Sequence, residues 1–165
     1  MERVVLARIR EEHGETAITQ KPLISKLTGY NFGDQDVPTN YLQAIEAAER
    51  LASTARGMAG EYAREARGQG RTWAEIAGAF GIDSDDVVDP AVEAFQRIVP
   101  PDRWGAESTS WTCTSCDTRV TDRGPYEGHP ADNETGHATD CTRHQREILA
   151  YQTRFDLDQD WEFER

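Results

Sequence analysis

The sequence predicts a mainly α-helical protein, in which a helical N-terminal domain containing a helix-turn-helix precedes a small zinc-stabilised module of the ββα or treble-clef type. Three observations predict this fold. They are the helical spacing of apolar residues in the first half, a capped helix and turn at 72–89, and the metal-donor spacing C-x2-C … H-x3-C from Cys113 onward. The expected domains are a helical domain at 1–99, a linker at 100–110, a zinc module with a trailing helix at 111–155, and an acidic tail at 156–165.

Composition and charge limit the core and the partners. The 165 residues carry a net charge of −12, and only 28 of them are Leu, Ile, Val or Phe. Because so few large apolar residues bury only a modest core, we expect bound metal to supplement it. Residues 71–98 carry a net charge of −4 and residues 113–165 carry −6, so the regions that resemble recognition modules are the most acidic ones. Most of this surface would repel a phosphate backbone.

The sequence shows no recognisable targeting signal. The sequence has no apolar run of about eighteen residues and no secretory signal pattern. We therefore expect a cytoplasmic protein without a membrane partner. In that compartment thiols stay reduced, which leaves the three cysteines available to zinc.

The first seventy residues show helical periodicity in three places. Apolar spacing predicts short helices over 2–13 and 17–28, and the Gly- and Asp-rich stretch 29–40 predicts a loop. The longest periodic segment is 39–67, where alanines and larger apolar residues recur every three or four positions. Its small-residue face permits close approach of another helix. This helix is therefore either a scaffold within the chain or a homodimer interface.

A capping box marks the next helix. Thr72 and Glu75 stand at its N-cap and N3 positions, and Gly81 can adopt the left-handed conformation that a sharp turn needs. Residues 70–81 resemble the helix-turn-helix of many bacterial regulators, in which stretches of the type G-x-[ST]-W-A-E-I-[AG]-x-x-[LF]-G occur. The resemblance implies a recognition helix that extends to about residue 89.

The expected recognition helix is acidic where such helices normally offer Arg, Lys, Gln, Asn or Ser to DNA. Pro90 either breaks it or starts another helix with Asp89 as its cap. Three interpretations stay open: a packing unit, a DNA-reading helix, or an acidic surface that docks on a basic partner. The acidic residues in question are Asp83, Asp85, Asp86 and Asp89.

DNA contact would require a local basic stripe elsewhere in the domain. The candidates are Arg64, Arg67 and Arg71, with Lys21 and Lys26 as additional positive charges. The net charge disfavours this alternative.

Four side chains have the spacing of a closed zinc site: Cys113, Cys116, His137 and Cys141. Residues 111–121 predict a β-hairpin with the first two cysteines in its turn, where backbone N–H groups can donate to sulfur. A helix that starts at Asp132 or Asn133 would include His137 and Cys141 and present them on one face. His144 or His129 is an alternative fourth ligand.

The donor set indicates a structural rather than a catalytic metal. Thiolates and imidazole suit zinc better than magnesium or calcium, and four protein ligands leave no position for water. The run His129, Asn133 and His137 faintly resembles a nuclease of the HNH kind, but the second cysteine pair and the basic residues of that family are missing. We therefore do not expect an enzyme.

The acidic tail contains two large rings, Trp161 and Phe163. Such an end is either a solvated tail or a short motif that inserts its rings into a partner.

The helix-turn-helix pattern at 70–82 and the module W-x-C-x-x-C … R-V-T-D-R-G-P-Y … G-H-x-x-x-C at 111–141 occur together. In this pairing the chain resembles small actinobacterial proteins that combine a degenerate helix-turn-helix with a C-terminal zinc-binding module. The resemblance implies two coupled modules and an intracellular bacterial setting, and it implies no activity. We expect a non-catalytic regulatory or adaptor protein that contacts another protein through acidic surfaces. A helix-turn-helix DNA-binding transcription regulator is the alternative, and a metal-dependent nuclease or hydrolase comes third.

Overall fold

A computed structural model describes residues 2–83, 85, 87–99, 107–126 and 128–162, with side chains as far as Arg154. About half of this part is helical and the sheets are small, which confirms the mainly α prediction. The helices are α1 Glu2–His13, α2 Tyr41–Gly68, α3 Trp73–Ala79, α4 Pro90–Ile98, α5 Pro130–Asn133 and α6 Thr142–Glu162. The strands are β1 Ile18–Ile24, β2 Asn31–Pro38, β3 Thr109–Thr112, β4 Arg119–Asp122 and β5 Glu134–Thr135.

The chain divides into two compact units at a place that the sequence did not predict. One unit is Met1–Met58 and the other is Ala59–Arg165, so the division lies inside α2. The helix pair α3–α4 and the cysteine-rich segment therefore belong to one unit rather than to domains separated at 100–110. Residues 100–106 of the expected linker lie outside the described residues, and Thr109 and Ser110 belong to β3.

The N-terminal unit contains a hairpin where the sequence predicted a helix and a loop. The expected helix at 2–13 is confirmed as α1. The helix expected over 17–28 is wrong, because Ile18–Ile24 forms β1 and pairs antiparallel with β2. The loop expected over 29–40 is equally wrong, since most of it is β2. Pro22 is the residue that argues against a helix here, because inside a helix it would remove a backbone hydrogen bond and clash with the preceding turn.

The long helix α2 matches the periodic segment and ends as glycine predicts. Gly70 has a φ of +91°, and the N–H of Arg71 donates to the carbonyl of Ala66 at 2.9 Å. This is the six-to-one bond of a Schellman ending, in which glycine takes the left-handed position.

The capping box and the helix that it starts are confirmed, but the described residues after Gly81 do not form the expected recognition helix. Thr72 and Glu75 exchange their two capping hydrogen bonds at the start of α3. The described residues 83, 85 and 87–89 are not helical, and α4 begins only at Pro90 with Asp89 as its cap. Helix-turn-helix motifs join their helices by three or four residues, whereas ten separate α3 from α4. The recognition helix expected up to residue 89 is thus absent from the described residues.

The helices α3 and α4 pack on the C-terminal part of α2 around an aromatic core. Trp73 and Phe95 are 3% and 0% exposed, and their rings meet edge to face at 5.1 Å. The ring of Tyr126 makes a second such contact with Phe95 at 6.0 Å. Tyr126 follows β4, so this core already includes part of the cysteine-rich segment.

Candidate metal centre

A short hairpin presents the first two cysteines. Strands β3 and β4 pair antiparallel, as predicted, and Cys113 and Cys116 lie in the turn between them. Asp117, with a φ of +55°, lets the chain reverse, and its N–H donates to the carbonyl of Cys113 at 2.7 Å. The N–H groups of Ser115 and Cys116 donate to the sulfur of Cys113, which favours the thiolate and offsets part of the opposing effect of burial.

The second pair of donors is held by a loop rather than by a helix. α5 ends at Asn133, β5 pairs with β4, and α6 begins at Thr142, directly after Cys141. The prediction that His137 and Cys141 share one helical face is therefore wrong. Gly136 explains the difference, because its φ is +102° and an added Cβ would lie 2.6 Å from the carbonyl oxygen of Arg119. Cys141 instead precedes α6, and its carbonyl accepts from the N–H of Gln145.

The four expected donors meet. The ligand atoms of Cys113, Cys116, His137 and Cys141 all lie within 4.8 Å of one another. The sulfurs of Cys113 and Cys141 are 3.9 Å apart, and Nδ1 of His137 is 3.7 Å from the sulfur of Cys116. Two sulfurs bound tetrahedrally at the usual zinc–sulfur length of about 2.3 Å would lie about 3.8 Å apart. These two separations are close to those between the ligands of a tetrahedral zinc ion.

The environment of Cys116 favours its ionised form. Burial raises the pKa of the Cys116 thiol, but the hydroxyl of Thr118, the N–H groups of Ala138 and Thr118, and His137 outweigh it. Together they lower this pKa to about 5. Burial raises the pKa of Cys113, which is 0% exposed. One cysteine is thus ready to bind a cation as a thiolate, and the other is in an apolar setting where a nearby cation would promote its ionisation.

The alternative fourth ligands do not join the cysteines. Nδ1 of His129 accepts from the N–H of Ala131 at the start of α5. His144 stacks on the ring of His137, with centroids 4.3 Å apart and an interplanar angle of 18°. Glu134, His137 and His144 also lie close enough for a cation, but nearly parallel rings do not converge on one point. The structure brings together the cysteines and His137.

A carboxylate orients His137. Oε2 of Glu134 lies 2.9 Å from Nε2 of His137, so the nitrogen that faces away from the cysteines has an acceptor. The tautomer with Nε2–H leaves the Nδ1 lone pair directed at the thiolates. Metal-binding histidines almost always donate their other ring N–H to a carboxylate, a backbone carbonyl or a water, which fixes the orientation of the ring. Glu134 is 7% exposed and also forms an ion pair with Arg67.

A second buried carboxylate, Asp122, ties the centre to the helices. Its Oδ2 accepts from Nε of Arg67 at 3.0 Å and from the indole N–H groups of Trp73 and Trp111 at 3.1 and 3.0 Å. Its Oδ1 accepts from the N–H of Gly124. A carboxylate that is 1% exposed would be very costly without partners, and this one has four.

This network was not predicted, although the sequence contains two signals of it. Val120 and Asp122 stand two apart on β4 and so point to the same, buried face. A carboxylate on the apolar face of a strand indicates a buried ion pair. Glu134 stands three residues before the ligand His137, where a carboxylate can reach the imidazole.

The end of α2 is capped by the metal-binding segment. The carbonyl of Gly68 accepts from the N–H and the hydroxyl of Thr114, at 3.1 and 2.9 Å. The carbonyl of Arg67 accepts from Arg143 at 2.7 Å. The last carbonyls of a helix have no donor within the helix, so the two bonds from Thr114 satisfy the buried carbonyl of Gly68. Arg143 is a second donor to the carbonyl of Arg67, which also accepts from the N–H of Gly70 at 2.9 Å.

The arginines suggested for nucleic-acid contact differ in how far they are exposed. Arg67 is 6% exposed and faces Asp122 and Glu134, so its role as a DNA contact is corrected to that of a buried counter-charge. Arg71 is exposed and pairs with Glu75 at 3.1 Å, and Arg64 is partly exposed.

The residues suggested for partner contact are in part at the surface. Asp83, Asp85 and Asp89 are exposed in the connection between α3 and α4, where Val88 is also fully exposed. Asp86, Phe163 and the side chain of Trp161 lie outside the described part. α6 continues to Glu162, beyond the end near residue 155 that the sequence suggested, so its backbone extends into the expected acidic tail.

Comparison with protein-family models, with curated proteins and with solved structures finds no match to this chain. Across the described helices, none has the length and apolarity needed to cross a bilayer. The site's own geometry is therefore the basis for a functional proposal.

Proposed function

We propose that the chain is a non-catalytic adaptor or regulatory protein whose C-terminal unit is held together by one structural zinc ion. The observation that carries the proposal is the cluster of three sulfurs and one imidazole nitrogen, whose ligand atoms lie within 4.8 Å of one another. Soft thiolates with imidazole select zinc over magnesium and calcium. The first two ligands lie in the turn between β3 and β4, and the last ligand, Cys141, lies at the start of α6. This arrangement is typical of a treble-clef-type site.

The donor set supports a structural role for the ion. Catalytic zinc sites usually keep three protein ligands and one open position for water, whereas four donors are available here. Cys113 and Cys141 are 0% and 2% exposed, which leaves a substrate little access from their side. The cytoplasmic setting expected from the sequence provides the reduced thiols that such a site needs.

Acidic surface supports partner contact. Of the net charge of −12, residues 59–165 carry −11, with 11 basic and 22 acidic side chains. The connection between α3 and α4 presents carboxylates around the exposed Val88, a polar rim around an apolar residue. A basic protein surface is the complement of this segment, and α3 and α4 act as the packing unit that supports it.

Metal analysis tests the zinc proposal. We expect about one zinc per chain in protein purified without added metal, and loss of that zinc in Cys113→Ser. The matched control is Ser115→Ala in the same turn, whose hydroxyl contacts only Thr142 in the described structure. A Cys113→Ser protein that keeps its zinc would show that these ligands are wrongly assigned.

Charge reversal tests the adaptor proposal. In the double variant Asp83→Lys, Asp85→Lys we expect a partner recovered from the native host with the wild-type protein to be lost, while zinc content stays unchanged. Glu61→Lys, Glu65→Lys is the control, because it places the same charge change on an exposed part of α2. If the wild-type protein binds DNA with a steep salt dependence, and recovery of no partner protein requires Asp83 and Asp85, the DNA-binding alternative replaces the adaptor proposal.

A further inference from the structure

The hairpin β1–β2 is an arm that the N-terminal unit hardly covers. Between Thr19 and Asp34 every side chain is exposed apart from the half-buried Ser25. Burial occurs only at the base, where Val37 is 7% exposed. A two-stranded hairpin by itself is marginally stable in water, so a surface that packs against this arm would stabilise it.

The arm and the start of α2 expose large apolar side chains together. Leu27 is 98% exposed, and Tyr30 and Phe32 are 63% and 65% exposed with their rings in edge contact at 5.0 Å. Leu42 on the first turn of α2 is 70% exposed. The other members of this set are Leu23, Ile24, Tyr41 and Ile45, each between 44% and 60% exposed. We call these eight residues the apolar arm surface.

The unit's own core is small by comparison. Its buried apolar residues are Leu6, Ile9, Ala17, Val37 and Ala47, and two of these are alanines. A 58-residue unit with so few large buried side chains gains little from burial, because units of this size are already marginal. More large apolar residues are at the surface of this unit than in its core.

We propose that the N-terminal unit is a homodimer interface, in which the apolar arm surface of one copy packs against the same unit of a second copy. The eight side chains expose on the order of 1,000 Å² in one copy, which matches the roughly 800 Å² per partner of a stable interface. The proposed dimer contact is therefore formed by the arm and the first turns of α2, rather than by the alanine face of 39–67.

Charge favours a second copy as the occupant. Residues 1–58 carry seven basic and eight acidic side chains, a net charge of −1, whereas the remainder carries −11. A nearly neutral unit can face its own copy without long-range repulsion, and the acidic unit cannot. The arm carries the exposed Lys21 on β1 and the exposed Asp34 on β2, so both signs of charge are available for contacts across a two-fold axis.

Sedimentation or light scattering of the full chain across about 1–100 μM tests the proposal. We expect twice the chain mass of 18.5 kDa. Leu27→Asp and Phe32→Asp should each raise the dimer dissociation constant at least about tenfold, because each places a carboxylate where an anchor residue is buried. Both positions are exposed within the chain, so the variants should keep their helix content and their zinc.

Leu149→Asp is the matched control, since Leu149 is 63% exposed in the other unit. It should leave the dissociation constant unchanged, and hydrogen exchange of residues 19–34 should slow as the wild-type concentration rises. A monomer at 100 μM, a dimer that survives both arm substitutions, or equal loss in Leu149→Asp would overturn the proposal. It would also be overturned by a monomer whose arm binds vesicles of anionic phosphatidylglycerol, which would make a lipid surface the occupant.

Discussion

Glu134 determines how His137 presents its lone pair. The carboxylate accepts from Nε2 and leaves Nδ1 for the cysteines, so removing its charge weakens both the orientation and the basicity of the imidazole. We expect Glu134→Gln to bind zinc roughly 10- to 100-fold more weakly, measured by competition with a chromophoric chelator. Asp140→Asn is the control, because Asp140 is exposed beside the ligand Cys141. Equal affinities of Glu134→Gln and wild type would show that the carboxylate does not support the ligand.

Arg67 is a buried arginine that faces two buried carboxylates. It is the counter-charge of Asp122 and Glu134, which are 1% and 7% exposed. Removing one partner from a buried ion pair typically costs about 3–5 kcal/mol, because the other charge stays buried and unpaired. We therefore expect Arg67→Met to lose about 3–5 kcal/mol in urea unfolding followed by tryptophan fluorescence.

Arg64→Met is the paired control for that experiment. Arg64 lies one turn earlier on α2 and is partly exposed, so its loss should change the unfolding free energy by about 0.5 kcal/mol or less. Similar losses in the two variants would contradict the assignment of Arg67 as a buried counter-charge.

At the scale of a helix, two glycines in α2 allow a matched comparison. A Cβ on Gly68 would lie 2.5 Å from the carbonyl oxygen of Thr112, whereas a Cβ on Gly57 would meet nothing within 4 Å. Neither has a positive φ, so helix propensity favours alanine at both. We expect Gly57→Ala to stabilise the protein by about 0.5–1 kcal/mol and Gly68→Ala to destabilise it by about 1–3 kcal/mol.

Thermal unfolding of the two variants at fixed zinc concentration measures the difference. The opposite signs follow from one cause, the close approach of the metal-binding hairpin to the end of α2. A Gly68→Ala protein as stable as Gly57→Ala would mean that the two elements can separate without loss.

The capping box of α3 gives a pH dependence. The N–H of Thr72 and the side chain of Arg71 lower the pKa of Glu75 below its usual 4.5. A lowered pKa means that the ionised carboxylate favours the folded state above pH 4.5, and that this contribution disappears as the pH falls through the folded-state value. The unfolding free energies of wild type and Glu75→Gln should therefore differ most above pH 4.5 and converge as the pH falls through the lowered pKa of Glu75. A constant difference over that range would argue against the capping role.

For the molecule as a whole, sequence patterns correctly predicted the elements that depend on neighbouring residues. They gave wrong predictions where a contact between residues far apart in sequence determines the structure. The periodicity of α2, the capping box of α3 and the cysteine turn all depend on neighbours in sequence, and each is as expected. The prediction of a helix through His137 and Cys141 was wrong because Gly136 packs closely against β4. The spacing of the metal ligands in the sequence does not reveal that contact. The predicted domain boundary at 100–110 differs from the observed one for the same reason, since Asp122 accepts a hydrogen bond from Trp73, 49 residues earlier in the chain.

That long-range network changes what metal removal should do. With separate modules, loss of zinc would unfold the chain only from about residue 111. In the structure, Asp122 and Glu134 hold Arg67 of α2, Asp122 holds Trp73 of α3, and Gly124 packs on Phe95 of α4. Structural zinc binding contributes about 10–16 kcal/mol in small fingers, and whole domains are stable by only about 5–15 kcal/mol.

We therefore expect chelation at neutral pH to unfold α3 and α4 together with the metal-binding segment. Hydrogen exchange followed by mass spectrometry measures this, because amides of α3 and α4 should lose their protection to the same extent as those of β3 and β4. The amides of α1 belong to the other unit and serve as the internal reference. Protection of α3 and α4 that survives complete zinc removal would show that the Arg67–Asp122–Glu134 network holds two independently stable parts in contact. Cys113→Ser should reproduce the chelated state, since it removes a ligand without any chelator present.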